Sequence, residues 1–315
     1  MPTKQSKLSG ILNINKPQGF TSHDVVARVR SLSGQRKVGH TGTLDPLATG
    51  VLLVCLGQAT RLIEYLQPSL KRYRATIRFG IATDTLDAEG QVVAEHDPSS
   101  LNEAQLRQVL PAFMGEIKQI PPIFSALKKN GQPFYKLARA GLPVKVKPRW
   151  VTIHALDWVA WQPPDLTLDI LCAPGTYIRS LARDLGDAVD TGAHLAGLTR
   201  TANGQWLLAE AVSLAELDRE VKADPAAWLK YLHPPDRAVA QLPRVILTAE
   251  NAVSVKHGRP IEISGFEANS ATVNQETNRG LLRAYAPNGD FLAILTQAKS
   301  NDKLWQPKKV FHFGD

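Results

Sequence analysis

Residues 39–50, GHTGTLDPLATG, hold one acid, Asp45, among glycines, hydroxyls and apolar side chains. They lie in the most basic part of the chain: residues 1–80 contain twelve Lys or Arg and three acids, Asp24, Asp45 and Glu64. Nearby cations favour the charged form of a carboxyl, so Asp45 is expected to have a lowered pKa. It is then a poor general acid and well suited to act as a nucleophile. The cations around it suit a polyanionic substrate. The bland alternative is a turn or helix start, with Asp45 as N-cap and Pro46 at the first helical position. Gly39, Gly42 and Gly50 weigh against it, because glycine permits close backbone approach or positive φ. Pro46 also pushes Asp45 out of the α region, which puts its carboxylate on an extended segment.

Two further clusters carry chemistry. Lys71-Arg72-Tyr73-Arg74 interleaves three cations with one ring. Such a group can hold phosphates while the ring stacks on an unstacked base. Tyr73 also shares a strand face with Ala75, Ile77 and Phe79, so it is equally the first core residue of that strand. Both readings hold if the strand end presents the ring at the rim of a cleft. The segment 175–180, GTYIRS, puts Arg179 in the first turn of a helix, where the macrodipole disfavours a cation by roughly 0.3–1 kcal/mol. The arginine calls for an anion, either a phosphate or Asp45, unless it is exposed and screened. His40 has no His or Cys at metal spacing; it is an ordinary loop histidine or a nucleic-acid contact. The hydroxyls of the motif lack a believable histidine–carboxylate pairing, so a hydrolase triad is unsupported. The absence of a P-loop and of GxGxxG argues against nucleotide cofactors. The acidic turn 83–90, TDTLDAEG, lacks calcium-loop spacing.

Elements that would position these residues are readable in part. Residues 11–15 read as a strand, followed by a capping box at 21–24 and a helix with Val25, Val26, Val29 and Leu32 inward, stopped at Gly34. Residues 51–56 form a buried strand and 73–79 an alternating one. A helix with Leu106, Val109, Leu110 and Phe113 is interrupted by Pro111. Strands are expected over 150–159 and 166–172, and a helix over 176–185 with Ile178, Leu181, Ala182 and Leu185 inward. Residues 121–129 and 136–147 form a basic, loop-rich stretch. Single helices among strands without regular alternation indicate an α+β domain. The proline-rich segment 234–243 marks a linker where few contacts should cross. Beyond it, 248–257 reads as a helix, and 281–286 and 291–296 flank a Pro-Asn-Gly-Asp turn as a hairpin.

The chain has 315 residues, 43% hydrophobic and 21% charged, which is ordinary for a globular protein of two domains. A net charge of +8 favours an anionic partner. No apolar run reaches membrane-spanning length, no basic amphipathic helix suggests a membrane surface, and the first ten residues lack the apolar stretch of a signal peptide. Cys55 and Cys172, each in an apolar run, read as buried free thiols of a reducing compartment, hence the cytoplasm.

Several segments closely resemble the TruB family of bacterial tRNA pseudouridine-55 synthases: GILNINKPQGFTS (10–22), GHTGTLDPLATG (39–50), KRYRATIRFG (71–80), TDTLDAEG (83–90), PPIFSALK (121–128), GTYIRSLARDLG (175–186) and GAHLAGLTRT (192–201). They run in the family's order. The resemblance implies an α+β catalytic domain of pseudouridine synthase type over 1–235, with a mixed, mainly antiparallel sheet. It also implies a small β-rich PUA-like RNA-binding domain over 244–315. The implied reaction is an isomerisation without cofactor or metal: uracil is cut from its ribose at N1, rotated and rejoined through C5. Carried over to this chain, Asp45 is the catalytic carboxylate, Tyr73 stacks on the target base, and Arg179 pairs with Asp45. His40 lies against the RNA, and Lys16, Tyr177, Arg61 and Arg72 join it as substrate-binding residues. The stretch around 128–147 matches the part that clamps the RNA arm. Thr199 stands where the family usually carries the first of two arginines. The implied partner is the T-arm stem-loop of tRNA, bound by a monomer without guide RNA. The competing expectations are an RNA-binding or chaperone protein without chemistry and an aspartate glycosidase needing Asp84 or Asp87 as acid.

Overall fold

A computed structural model describes residues 8–125, 128–129, 132–134, 146–263, 280–298 and 301–312. Its main sheet is mixed and mainly antiparallel. The strands run in the order Val212–Ser213, Gly10–Lys16, Thr49–Leu56, Ala193–Asn203, Lys71–Phe79, Asp165–Cys172, Arg149–Gln162 and Gly115–Gln119. Within this sheet, Gly10–Lys16 runs parallel to Val212–Ser213 and Thr49–Leu56 parallel to Ala193–Asn203. A second, five-stranded sheet starts at Arg244. The whole is α+β, with a β-rich C-terminal part.

The number of covered faces explains the two kinds of strand sequence. Residues 51–56, VLLVCL, are apolar throughout and fully buried. On one face Leu52 and Val54 pack under Val25, Val26 and Val29 of helix Ser22–Ser33. On the other, Val51, Leu53 and Cys55 meet Val239, Leu242, Phe291, Ile294 and Phe311. Lys71–Phe79 alternates because only one face is roofed, by Ile178, Leu181, Ala182 and Leu185 of helix Ile178–Ala188. The open face carries Arg74 and Arg78, each held by two hydrogen bonds to Asp169 and Asp165 on the neighbouring strand.

Local signals explain the element ends. Thr21 and Asp24 form the capping box of helix Ser22–Ser33, and Gly34 closes it in the left-handed region at φ 65°. Pro111 ends the helix Glu103–Val109 and starts a single 3-10 turn, Leu110–Phe113. The long strand Ala193–Asn203 was not readable as one. Its sequence mixes glycine with polar residues, and the strand breaks register between Leu195 and Gly197. Helix Leu214–Ala223 and strand Asn301–Val310 were likewise missed.

The expected linker behaves differently from the sequence reading. Ala238, Val239 and Leu242 are buried and belong to one apolar cluster that joins the two sheets. Ile11, Val51, Leu53 and Cys55 present an apolar face that the helical turns Gly57–Leu62 and Ile63–Leu66 share with Ala238, Val239 and Leu242 and with Tyr285, Phe291, Ile294 and Phe311 of the second sheet. Much of the basic stretch 121–129 and 136–147 lies outside the described residues.

Candidate active site

Three adjacent strands align the site. Gly50 pairs with Arg200, and Arg200 pairs with Tyr73. Gly50 has φ 97°, and a Cβ there would stand 2.3 Å from the Arg200 carbonyl oxygen. Only glycine lets the strands close at this point. The loop before it carries Asp45 on irregular, non-helical backbone. Buried Lys16 holds that loop, its Nζ donating to the carbonyls of Pro17, Phe20 and Pro46 at 2.9, 2.6 and 3.3 Å. The Leu44 N–H donates to Ser22 Oγ at 2.8 Å, and Arg200 Nε donates to the Val51 carbonyl at 2.6 Å.

Asp45 opens into a cavity of about 320 Å³ shared with Tyr73, Arg179, Tyr177, Lys71 and Arg200. Arg179 Nε lies 3.0 Å from Asp45 Oδ2, while Nη1 lies 3.4 Å from Asp87 Oδ2. The same guanidinium donates to the carbonyls of Thr85 and Phe124 at 3.1 and 2.9 Å. Arg179 is 5% exposed and Asp87 4%. The arginine at the helix start therefore has two anionic partners, Asp45 and Asp87. From the sequence Asp87 entered only as an alternative to Asp84 for the acid that a competing glycosidase would need. It arrives from the turn 83–90, where Thr85 Oγ1 and the Glu89 N–H both donate to Asp87 Oδ1. Its sequence signals were the acidity of that turn and the family match of TDTLDAEG.

The expected lowering of the Asp45 pKa is overturned. Burial is the largest influence and raises it, and the Asp87 charge raises it further, against the opposing pull of Arg179 and Lys16. Many cations counted in the sequence are spent elsewhere: Arg28 on Asp218, Arg74 on Asp169 and Arg78 on Asp165. Tyr73 packs where two core clusters meet and also lines the cavity. Burial pushes its hydroxyl above the ordinary value, which keeps it protonated.

The other expected site residues divide. Tyr177 lines the cavity as N-cap of helix Ile178–Ala188, locked by mutual hydrogen bonds with Gln119 at 2.9 and 3.0 Å. Lys16 stands behind the Asp45 loop, and burial lowers its pKa to about 8. His40 is half-buried on strand Val38–His40 and packs edge-on against His23, ring centroids 5.3 Å apart. Burial, His23 and Arg200 hold its pKa below the ordinary value. Arg72 is exposed on the sheet face opposite to Tyr73, since alternate residues of a strand point to opposite faces. In its place, Lys71 shares the Tyr73 face and lines the cavity. Arg61 turns away to the second sheet, donating to the Val310 carbonyl and lying over the Phe311 ring at 5.1 Å. Thr199 ties two strands, its Oγ1 2.9 Å from Thr49 Oγ1. Among the described residues no three His, Cys, Asp or Glu converge as metal ligands, and no helix is long and apolar enough to cross a membrane.

The fold is shared with proteins of known structure. A chain of the crystal structure of a Cbf5–Nop10–Gar1 complex matches 96% of this chain and 85% of its own length, with TM-score 0.72 and 26% identity. A chain of the archaeal box H/ACA sRNP Nop10–Cbf5 complex matches 99% and 89%, with TM-score 0.70 and 25% identity. The model of the TruB family pseudouridylate synthase N-terminal domain matches residues 30–178. The tRNA pseudouridine synthase B of Symbiobacterium thermophilum is 48% identical over 256 residues, 80% of this chain and 83% of that protein. The same-named protein of Thiobacillus denitrificans is 43% identical over 293 residues, 93% of each chain. The chain belongs to the TruB family of pseudouridylate synthases.

Proposed function

We propose that this protein isomerises uridine 55 in the T loop of tRNA to pseudouridine, with Asp45 as its catalytic carboxylate. The observation that carries the reading is the pairing of Asp45 with a buried arginine in the same cavity as Tyr73. Asp45 acts on the target nucleoside, Arg179 holds the carboxylate in place, and Tyr73 stacks on the extruded base. His40, with exposed Arg36 and Lys37 just before its strand, meets the RNA outside the cavity. The relatives named tRNA pseudouridine synthase B support tRNA as the substrate. The enzyme works in the cytoplasm, as a monomer and without a guide.

The test is incubation of purified protein with an unmodified T-arm stem-loop, with no other RNA or protein present, followed by pseudouridine mapping. RNA mass should stay unchanged, because isomerisation loses no atoms; release of free uracil would mark a glycosidase. Asp45→Asn, nearly isosteric but unable to act as nucleophile or base, should lower the single-turnover rate by at least about 1,000-fold while RNA binding persists. Substantial pseudouridine from the pure Asp45→Asn protein would remove Asp45 from the chemistry.

A further inference from the structure

The cavity wall opposite the Asp45 loop includes Ser125. Ser125 is 4% exposed, and its Oγ has no hydrogen-bond partner among the described residues. Buried hydroxyls are nearly always paired, because burying one unpaired loses its hydration without return. Its position is not loose. The segment before it is stitched to helix Ile178–Ala188: the Ile120 carbonyl accepts from Ser180 Oγ at 2.8 Å and from Arg183 Nη2 at 3.2 Å. The Phe124 carbonyl accepts from Arg179 Nη2 at 2.9 Å. The same arginine that holds Asp45 therefore holds the backbone next to Ser125. Two other polar side chains of the cavity are committed to the protein. Arg200 donates to the carbonyls of Val51 and Gly42, and Lys71 to those of Gln67 and Ser69.

We propose that the Ser125 hydroxyl hydrogen-bonds directly to an oxygen of the nucleoside that enters this cavity. The inference rests on the uridine-isomerising reading above and adds a substrate-contacting residue to it. A hydroxyl both donates and accepts, so a uracil carbonyl and the ribose 2′-OH both fit as its partner. A water molecule alone would satisfy Ser125 equally well and is the outcome that the experiment must separate.

The test compares wild-type protein with Ser125→Ala and Ser125→Cys on a T-arm stem-loop, measuring kcat, KM and thermal midpoint. Loss of one neutral hydrogen bond to substrate should lower kcat/KM by about 3- to 10-fold in both variants. The midpoint of Ser125→Ala should be unchanged or higher, since an unpaired buried hydroxyl has been removed. The same comparison on a substrate with 2′-deoxyuridine at the target position identifies the oxygen. A loss that vanishes there assigns the contact to the 2′-OH, and a loss that persists assigns it to another oxygen of the nucleoside. Unchanged kcat/KM in Ser125→Ala, or a loss that tracks a lowered midpoint, overturns the proposal while the parent reading stands. Wild-type protein that forms no pseudouridine overturns the parent reading, and this proposal with it.

Discussion

Arg179 lies between Asp45 and Asp87, and the two charges near Asp45 act on its proton in opposite senses. Arg179 favours the carboxylate, whereas Asp87 and burial favour the acid. The carboxyl therefore titrates above the ordinary value of 3.8. If catalysis needs the ionised form, activity is lost as pH falls through that raised pKa, so the acid limb of kcat/KM should lie above the range of an unperturbed aspartate. Two variants move the limb in opposite directions. Arg179→Gln removes the cation and should shift it to higher pH. Asp87→Asn removes the repelling anion and should shift it to lower pH. Single-turnover rates across the pH range decide this, and shifts of the same sign in both variants would show that the limb belongs to another group. Arg179→Gln should also be the less stable protein, because it leaves two acids near each other without their shared cation.

At the scale of elements, the site depends on how closely three strands meet. Gly50→Ala forces a Cβ against the Arg200 carbonyl at a positive φ, so it should destabilise the fold by about 1–3 kcal/mol, read from chemical denaturation. Gly42→Ala meets nothing nearer than Arg200 Nη1 at 3.9 Å and should be far milder. What the sequence made legible follows from the range of the interactions involved. The capping box at Thr21, the left-handed stop at Gly34 and the alternation of Lys71–Phe79 are written within a few residues, and each was readable. The split of Lys71 and Tyr73 from Arg72 was implicit in that same alternation, yet grouping the four residues by charge concealed it. Asp87 was hidden because its partner comes from a helix far along the chain, and only the folded turn 83–90 brings them together. The Asp45 pKa was misjudged for a related reason. Counting cations in the sequence ignores burial, and it ignores the carboxylates on other strands that neutralise Arg74 and Arg78.

At the scale of the whole molecule, the second sheet is part of the core that supports the first. Phe311 is 1% exposed, stacks on Phe291 with ring centroids 5.0 Å apart, and receives the Arg61 guanidinium over its ring. The Tyr285 hydroxyl donates to Asp236 at 2.7 Å, and Lys309 Nζ donates to the Arg61 carbonyl at 2.6 Å. These ties fasten the second sheet to the helical turns around Arg61 and Asp236 and to the strand that follows the Asp45 loop. A chain ending at Pro243 would strip Tyr285, Phe291, Ile294 and Phe311 from the apolar cluster that covers Val51, Leu53 and Cys55. The expected outcome is an insoluble or loosely folded protein, not a catalytic domain with weakened RNA affinity. A point variant tests the same idea without truncation. Phe311→Ala should destabilise the full chain by about 3–5 kcal/mol through the cavity it leaves. Because the apolar cluster is shared, calorimetry should record one cooperative transition for the wild type, with its midpoint lowered as a unit in the variant. Two transitions, of which Phe311→Ala moves only one, would mean that the sheets fold independently. The truncated protein would then be expected to keep Asp45, Arg179 and Tyr73 in working order.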